Sequence, residues 1–415
     1  MKKDLDGLMA KHQIDAILVT GRGDHNPSMV YMTGGAHLTG ADFVKIRDGK
    51  GVLFHGMMER DEAKKTGWET RSFSLYPMTD LVKETAGDWQ KAIALRYKKM
   101  LEDVGFSKGR LALYGQVEAG YGYGIFSMLR DLLPEIELVG MQTSDLMLSA
   151  MMTKDAKEIA RIQKMGSLVT EIVGKVSEFL TTRKVRQDEV LLEEDGDPVT
   201  VGLVKRKINL WLAEGGAENP EGTIFAIGRD AGVPHSSGED QDLICLGKTI
   251  VFDFFPCEMG GGYFYDFTRT WSLGYASDES KKVFQDVYDA YQQIVSELKV
   301  NTPFKHYQQR TCEIFEGLGH ATIQSQPNTE EGYIHSLGHG LGLRVHEKPF
   351  SGLSAGADEI LAPGCVFTIE PGLYYPDKGM GVRIEDTWFV TEDGQFKLIA
   401  EYPKYFVLKM KYWAE

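Results

Sequence analysis

The sequence predicts a mixed α/β (α+β) protein with a first domain at residues 1–150 and a second domain at residues 151–415. Short apolar segments alternate with helical stretches in the first 150 residues, which is an α/β pattern. A long segment with helical periodicity follows, and later helical stretches are interleaved with strand-like segments that carry acidic residues. At 415 residues the chain is long enough for two or three domains with substantial cores.

The elements of the first domain are predicted from short apolar runs and from helical spacing. Strands are predicted at Ile14–Thr20, Gly51–His55 and Leu111–Tyr114, because apolar runs of about four to eight residues are typical of buried strands. One helical stretch is predicted at Leu81–Val104. The boundary between the two domains is predicted at Asp145–Met152.

The second domain begins with a regular helical pattern. Within Asp155–Leu180, apolar residues recur at the spacing of one helix face, which indicates a helix that packs against the core. Two further helices are predicted at Asp278–Leu298 and Lys305–Leu318. The apolar positions of the first helix are Ile159, Ile162, Met165, Val169, Ile172, Val173 and Val176.

The composition argues against several classes of partner. The formal net charge is −14, so nucleic acid is a poor candidate partner. No segment reaches the roughly 18–20 apolar residues of a membrane-spanning helix, and the charged start of the sequence lacks the apolar region of a signal peptide. The 4 cysteines show no CxxC spacing. Sparse cysteines of this kind predict reduced thiols and a cytoplasmic location.

Two aspartates interrupt segments that otherwise predict a buried hairpin. Asp253 lies within the apolar run Thr249–Pro256, and Asp266 lies on the predicted return strand beyond three consecutive glycines. If the faces that carry both aspartates coincide, two buried carboxylates converge and repel each other unless a metal ion neutralises them. For Asp253 alone, the alternative is an ion pair with Arg269 or Arg383.

Two glutamates, like the two aspartates, lie within or at the end of apolar segments. Glu385 alternates with Arg383 on Val382–Phe389, whose apolar residues predict a largely buried strand, so Arg383 is expected to orient an acidic ligand. Glu370 ends the apolar stretch Cys365–Ile369 and precedes a Pro-Gly turn signal, where a carboxylate can face a cleft. The alternatives for these two residues are a local salt bridge and a solvated strand end.

The histidines are the most specific feature of this domain. Three of the 10 histidines, His335, His339 and His346, fall in one glycine-rich stretch. Glycines on both sides of His339 remove side-chain bulk, as a backbone that closely approaches an ion requires. His235 lies apart, in a loop-like segment that can present a catalytic imidazole. A lone histidine is more often a core or surface residue, so only the whole set points to a site.

Four carboxylates and one imidazole predict a site for two divalent metal ions. Oxygen-rich sites favour ions such as Mn²⁺ over ions that prefer thiolates. Two ions about 3.5–4 Å apart can share and polarise one water, which is typical of a hydrolase. The five candidate ligands are Asp253, Asp266, His339, Glu370 and Glu385.

This ordered set resembles the pita-bread metallopeptidases, which include methionine aminopeptidase, aminopeptidase P, prolidase and the metal-free creatinase. The resemblance covers roughly residues 150–410 and includes PHS at 234–236, GHGLGLRVHE at 338–347 and GVRIED at 381–386. A weaker match, DAILV at 15–19 and YMTG at 31–34, resembles the creatinase-like amino-terminal domain. The extra domain is similar to that of the aminopeptidase P and prolidase branch.

The resemblance implies a fold, a substrate and a cofactor. It implies a creatinase-like amino-terminal domain followed by a pita-bread catalytic domain. Members of this branch cut the peptide bond that precedes proline, so the implied substrate is a dipeptide or short peptide with proline after the scissile bond. The implied cofactor is two divalent metal ions, with Mn²⁺ expected and Co²⁺, Zn²⁺ or Fe²⁺ as substitutes. Relatives commonly dimerise, so a homodimer is also implied.

The resemblance also implies roles for the site residues. Asp266 and Glu385 would bridge the two ions, Asp253 would hold one of them, and His339 and Glu370 would complete the other. Glu370 would also carry the proton from the attacking water towards the leaving nitrogen. His235 and His346 would stabilise the reacting carbonyl and contact the substrate backbone.

The sequence departs from the family pattern at three places. Asp253 is followed by Phe-Phe-Pro, where the family has a glycine two residues later. Arg344 stands where many relatives carry an acidic residue, and it could bind a substrate carboxylate, with Lys348 as a second candidate cation. Residues 188–222 are longer than in a minimal member and include the polar turn Glu193–Pro198.

Three functions compete at this point. The first is a proline-specific exopeptidase, either a dipeptidase (prolidase) or an aminopeptidase on longer peptides. The second is a non-peptidase enzyme on the same scaffold. Its creatinase-like amidinohydrolase form is disfavoured because all five ligands are retained, whereas a metal-dependent lyase remains open. The third is a binding protein without catalysis, which would not need five buried ligands.

Overall fold

The computed structural model describes residues 4–140 and 146–413, and the chain forms two compact units. The first unit comprises Met1–Met151 with Gly260–Gly262, and the second comprises Met152–Met259 with Tyr263–Glu415. The predicted boundary segment, Asp145–Met152, begins at a residue that lies outside the described residues. The mixed α/β architecture that the sequence predicts is confirmed.

The first unit contains one six-stranded sheet with strand order β4-β3-β2-β1-β5-β6. The β1–β2 and β2–β3 pairs are antiparallel, and the other three pairs are parallel. All three predicted strands are present, although β5 is longer than predicted. The six strands are β1 (Ala16–Gly21), β2 (Ala41–Ile46), β3 (Gly51–His55), β4 (Glu69–Ser72), β5 (Gly109–Gln116) and β6 (Ile136–Gly140).

In the described part of the first unit, seven α-helices accompany this sheet, and one prediction about them is wrong. The stretch Leu81–Val104 is two helices rather than one, because Ala86 (φ 54°) and Gly87 (φ 93°) adopt the left-handed conformation that ends a helix. Buried side chains of α4, α5 and α6 share one apolar cluster with the sheet. The helices are α1 (Leu5–Lys11), α2 (Pro27–Thr33), α3 (Arg60–Lys65), α4 (Met78–Glu84), α5 (Trp89–Asp103), α6 (Ala119–Leu132) and α7 (Leu146–Met151).

Among the described residues the second unit contains four long helices, of which three lie close to the predicted bounds and one, Val201–Glu214, was not predicted. The first of them begins at a capping box, in which Asp155 accepts the backbone N–H of Glu158 and Glu158 accepts that of Asp155. None of the helices in the described residues is long and apolar enough to cross a membrane. The four helices are α8 (Ala156–Thr181), α9 (Val201–Glu214), α10 (Asp278–Glu297) and α11 (Phe304–Gly317).

Two larger sheets of the second unit carry most of the predicted ligands. A four-stranded sheet has the order β10-β11-β13-β21, and a five-stranded sheet has the order β15-β14-β16-β19-β20. Helices α10 and α11 pack against the second of these through a large apolar cluster. The strands are β10 (Thr223–Ile227), β11 (Thr249–Phe254), β13 (Phe267–Leu273), β14 (His339–Gly340), β15 (Glu347–Phe350), β16 (Val366–Ile369), β19 (Asp386–Val390), β20 (Phe396–Leu398) and β21 (Val407–Leu408).

The remaining strands form three two-stranded pairs, and they correct a second prediction. Val382–Phe389 is not one strand, because β18 ends at Arg383 and pairs with β17, whereas β19 begins at Asp386 and pairs with β16. Glu385 therefore lies at the junction between two sheets. The short strands are β7 (Lys184–Val185), β8 (Leu191–Leu192), β9 (Ala217–Glu218), β12 (Cys257–Glu258), β17 (Gly372–Tyr375) and β18 (Met380–Arg383).

Residues 188–222, which the sequence analysis leaves without a role, form an ordered part of the second unit. They contain β8, the whole of α9 and β9. Thr200 caps α9 by accepting the backbone N–H of Leu203 at 3.2 Å. Apolar residues at four-residue spacing anchor the helix in the core, namely Val204, Ile208 and Leu212.

Candidate metal centre and active site

The second unit brings all five predicted ligands to one cavity of about 740 Å³. Each ligand comes from a strand or from the residue beside a strand. Separate strands fix the ligands to one another through backbone hydrogen bonds, which gives a more rigid site than a single loop would. The ligands are Asp253 on β11, Asp266 before β13, His339 on β14, Glu370 after β16 and Glu385 between β18 and β19.

The register of two strands explains how the acidic residues converge. Asp253 on β11 lies opposite Thr268 on β13, so the faces that carry Asp253 and Asp266 coincide, which is the condition under which the two carboxylates converge. Thr268 in turn forms a bridge with Glu385. Its hydroxyl donates to Glu385 Oε2 at 2.7 Å. Thr268 therefore lies opposite Asp253 and holds the carboxylate of Glu385, a role that sequence analysis did not assign to it.

Three carboxylates each have one oxygen held by the protein. Asp253 Oδ2 accepts from Arg383 at 2.6 Å, and Asp266 Oδ1 accepts from the backbone N–H of Phe267 at 2.9 Å. Among the described residues, Asp253 Oδ1 and Glu385 Oε1 are buried without a hydrogen-bond partner. A buried carboxylate oxygen without a partner is costly, so these two atoms point to a ligand that is itself a cation.

The imidazole of His339 is oriented as a metal ligand. Its Nδ1 lies 3.1 Å from the carbonyl oxygen of Gly340, which can only accept, so Nδ1 carries the proton. Nε2 is then a free lone pair, 3.6 Å from Asp266 Oδ2 and 3.5 Å from Glu370 Oε1. Burial lowers the pKa of His339 to about 3, and the neighbouring His346 adds to the effect. The ring is therefore neutral, as metal ligation requires.

The glycines on both sides of His339 allow neighbouring strands to approach closely. A Cβ on Gly338 would lie 2.1 Å from the carbonyl oxygen of Thr368, and one on Gly340 would lie 1.9 Å from that of Lys348. Both distances are far below van der Waals contact. These glycines therefore have a packing role that the sequence analysis did not assign to them.

Arg383 contacts Asp253 and not Glu385, its neighbour on the predicted strand face. It is 3 % exposed, and its guanidinium also donates to Tyr374 Oη at 2.6 Å and to Thr268 Oγ1 at 3.3 Å. Asp253 Oδ2 thus forms the ion pair with Arg383 that was one alternative for this residue. Asp253 Oδ1 has no partner among the described residues, so it is available to a metal ion, which was the other alternative. Arg269 pairs instead with Asp386 at 2.7 Å.

A chain of hydrogen bonds joins Arg383, Tyr374 and His335. The sequence analysis assigned no role to His335. Arg383 donates to the hydroxyl of Tyr374, and this hydroxyl lies 2.9 Å from His335 Nε2. His335 Nδ1 donates to the Ser336 carbonyl at 2.8 Å and also lies 3.8 Å from Glu370 Oε2. Nothing in the sequence pattern around Tyr374 indicated that its hydroxyl would join this chain.

The negative charge of the buried carboxylates also favours a bound cation at this site. Burial raises the pKa values of Asp266 and Glu385 well above the usual range, and the other carboxylates raise them further. Burial raises the pKa of Glu370 to about 8; Arg383 opposes this shift and Asp253 adds to it. One arginine cannot offset four carboxylates. Divalent ions fit this donor set, since they would supply the missing charge to mainly oxygen ligands.

The structure places His235 and His346 at the same cavity, but not Arg344 or Lys348. The ring of His346 lies 4.2 Å from that of His339 between centroids, and His235 follows the short helical turn Asp230–Gly232. Arg344 is exposed in a bent segment and does not line the cavity. Lys348 is buried and pairs with Glu359 at 3.2 Å. The segment at residues 342–346 consists of bends rather than a strand.

Comparison with known proteins agrees with this geometry. The model of metallopeptidase family M24 matches residues 171–392, which include all five ligands. The chain belongs to family M24. An uncharacterized peptidase of Bacillus subtilis is 26% identical over 97% of this chain and 98% of its own length. An Xaa-Pro dipeptidase of Pyrococcus horikoshii is 27% identical over 95% of each chain.

The fold is shared with solved structures of the family. The crystal structure of the prolidase from Pyrococcus horikoshii superposes with a TM-score of 0.72 at 24% identity, over 97% of this chain and 98% of that one. The M24 region therefore has the pita-bread fold that the sequence predicts. Metallopeptidases of family M24 use divalent metal ions, and the buried group Asp266, His339 and Glu385 could hold such an ion.

Proposed function

We propose that this chain is a metal-dependent exopeptidase that hydrolyses the Xaa-Pro bond of dipeptides or short peptides. One observation carries the proposal. Asp266, His339 and Glu385 are buried, and one ligand atom from each lies within 4.8 Å of the others. Family membership and the relatives named as Xaa-Pro dipeptidases support the same conclusion.

The five ligands would hold two divalent ions. By the family resemblance, Asp266 and Glu385 would be shared by the two ions, Asp253 would hold one of them, and His339 and Glu370 would complete the other. When bound, the ions supply the positive charge that lowers the pKa of a shared water to about 7 and polarises the scissile carbonyl. Mn²⁺ is the ion we expect, and Co²⁺, Zn²⁺ or Fe²⁺ would substitute.

Glu370 is the residue that moves the proton. Its carboxylate borders the cavity, and its backbone N–H is held by the Leu337 carbonyl at 2.8 Å. A carboxylate there can accept a proton from the attacking water and pass it to the proline nitrogen as the bond breaks. His335 Nδ1 lies 3.8 Å from Glu370 Oε2 and borders the same cavity.

His346 and His235 act on the carbonyl oxygen. Both border the cavity, and His346 lies against the His339 ring. Desolvation lowers the pKa of His346, although Glu221 opposes the shift. A neutral imidazole N–H can donate to the oxygen as negative charge develops on it, which stabilises the transition state more than the substrate.

A panel of substrates tests the proposal. Purified enzyme with Mn²⁺ is incubated with Ala-Pro, Ala-Pro-Ala, Ala-Ala and creatine, and free alanine and urea are quantified. Release of alanine from the proline peptides alone supports the proposal. Cleavage of Ala-Ala at an equal rate, or hydrolysis of creatine alone, would contradict it.

A metal-dependent lyase on the same scaffold is not favoured by any contact in the described residues. The homodimer and the cytoplasmic location belong to this proposal as predictions from the sequence. Gel filtration with light scattering measures the first, and cell fractionation measures the second.

A further inference from the structure

The cavity that holds the acidic cluster also has a polar wall formed by α9 and the segment after it. Lys205 and Asn209 are four residues apart on α9, so they project from the same face of the helix. Asn219 and Thr223 continue the wall and are joined by a hydrogen bond of 2.8 Å. None of these residues takes part in the proposed chemistry.

Lys205 is the cation of this wall. Among the described residues that line the cavity, only Lys205 and Arg383 carry a permanent positive charge. Arg383 is buried and its guanidinium is used by Asp253, Tyr374 and Thr268. Lys205 is therefore the cavity cation that a ligand can reach.

The ammonium group of Lys205 retains donors for a ligand. It donates to the Gly238 carbonyl at 3.0 Å, and its nearest carboxylate, Asp240, is 3.8 Å away and 67% exposed. An ammonium has three donors, so one hydrogen bond and one long, solvated ion pair leave it incompletely satisfied. The Lys205 side chain itself is 18% exposed, which holds it against the cavity wall.

We propose that Lys205, with Asn209 beside it, binds the terminal carboxylate of the peptide substrate. The proposal rests on the proposed peptidase function and specifies how the same cavity selects its substrates. A cavity of about 740 Å³ is in the range that encloses a whole small ligand, so the scissile bond and the carboxyl end of a short peptide can lie within it together.

Charge supports this orientation of the substrate. Apart from Lys205 and Arg383, the charged side chains at the cavity are Glu221 and the four predicted ligand carboxylates, whose charge the bound metal ions would offset. Glu221 repels a free carboxylate, whereas Lys205 attracts one. A peptide that ends at Lys205 is therefore favoured over the same peptide with an uncharged end, and Lys205 sets the substrate length at which this preference is largest.

The test compares free acids with amides. Ala-Pro, Ala-Pro-Ala and Ala-Pro-Ala-Ala are prepared with free carboxyl ends and as carboxyl-terminal amides, and kcat/KM is measured for each pair. The wild type should prefer the acid at one length by about ten-fold, the effect of a hydrogen bond to a charged group. Lys205→Met should reduce the acid-to-amide ratio of kcat/KM to about one. Lys205→Arg should retain the wild-type ratio.

Two matched variants make the result specific. Lys207→Met makes the same substitution on α9, but Lys207 lies on the Phe179 ring and does not line the cavity, so its ratio should equal that of the wild type. Arg344→Gln tests the cation favoured by the sequence. If Arg344→Gln abolishes the acid preference and Lys205→Met does not, the proposal is overturned. It is equally overturned if no length shows a preference that depends on Lys205.

A binding measurement separates this proposal from the peptidase function. Calorimetry on the Glu370→Gln enzyme, with and without Lys205→Met, gives Kd for each acid and amide, and thermal melting confirms that each variant is folded. If the wild type cleaves no Xaa-Pro peptide, the peptidase function fails. If it cleaves them and the acid-to-amide ratio of Kd is unchanged by Lys205→Met, only the role of Lys205 fails.

Discussion

Lys154 Nζ lies 2.9 Å from Glu347 Oε2, and both side chains are almost completely buried. The other oxygen of Glu347 accepts the backbone N–H groups of Leu343 and Arg344 at 2.8 and 3.1 Å. Glu347 thus closes the bent segment that presents His346 to the cavity, and Lys154 supplies the charge that allows this carboxylate to be buried.

The first prediction concerns this ion pair. Lys154→Met should destabilise the protein by about 3–5 kcal/mol, because it leaves Glu347 buried without its partner. It should also lower kcat, since the segment that carries His346 is no longer fixed. Urea unfolding and steady-state kinetics measure the two effects.

Two control variants isolate the cause. Lys157→Met removes an exposed lysine of α8 and should change stability by less than about 0.5 kcal/mol. Lys154→Met combined with Glu347→Gln removes both charges but keeps an acceptor for the backbone N–H groups, so it should be more stable than Lys154→Met alone. Equal stability of the single and double variants would show that the buried charge is not the cause.

A second prediction concerns Asp266. Asp266→Ala removes a predicted bridging ligand, so the protein should lose both metal ions and hydrolyse Xaa-Pro peptides at less than about 1% of the wild-type rate. Elemental analysis after reconstitution with Mn²⁺ counts the ions. Asp230→Ala, in an acidic residue that does not line the cavity, serves as the control. Full metal content in Asp266→Ala would refute the bridging role.

A third prediction separates His346 from the ligands. His346→Ala should retain two metal ions yet lose about 10²–10³-fold in kcat, as expected for a donor to the transition state. The ratio of metal to protein and the kinetics are measured on the same sample. Loss of metal in this variant would mean that His346 is a ligand instead.

A fourth prediction concerns the pH dependence of stability without metal. In the folded protein burial raises the pKa of Glu370 from 4.5 to about 8. Such a carboxyl holds its proton more tightly when folded, so its contribution to stability is complete below about pH 4.5 and is lost as the pH rises through about 8. The Tm of the metal-free enzyme should therefore fall between pH 5 and pH 8, roughly the interval between those two values.

Added metal should reverse this trend, because metal ions bind deprotonated ligands and stabilise the folded state by mass action. Differential scanning calorimetry in chelator and in Mn²⁺ compares the two slopes. Glu370→Gln should make the slope in chelator shallower. A Tm that rises with pH in chelator would contradict the raised pKa of Glu370.

The sequence alone predicted the mixed α/β fold class, three of the six strands of the first unit and three of the long helices of the second, because each depends on local hydrophobic spacing. It also predicted that Asp253 and Asp266 lie on the two strands of one hairpin. In a strand, alternate residues share a face, but whether the two faces coincide depends on the register of the pair, which the structure supplies.

The partners of the charged residues could not be predicted, because they depend on which strands become neighbours. Arg383 and Glu385 share a face in the sequence pattern, but the break between β18 and β19 turns Arg383 towards Asp253. Tyr374 joins His335 to Arg383 across segments that are distant in the chain. Local spacing carries no information about such contacts.

The side chain proposed to bind the substrate carboxylate also depends on tertiary contacts that the sequence does not specify. Arg344 stands beside the histidine motif in the sequence but is exposed outside the cavity, whereas Lys205 is distant in the chain and lines it. The sequence by itself predicted the five candidate ligands, since five acidic and imidazole side chains in apolar segments are costly to bury without a cation. Only the tertiary structure decided which side chains surround that set, because long-range strand pairing and helix packing determine which residues meet in space.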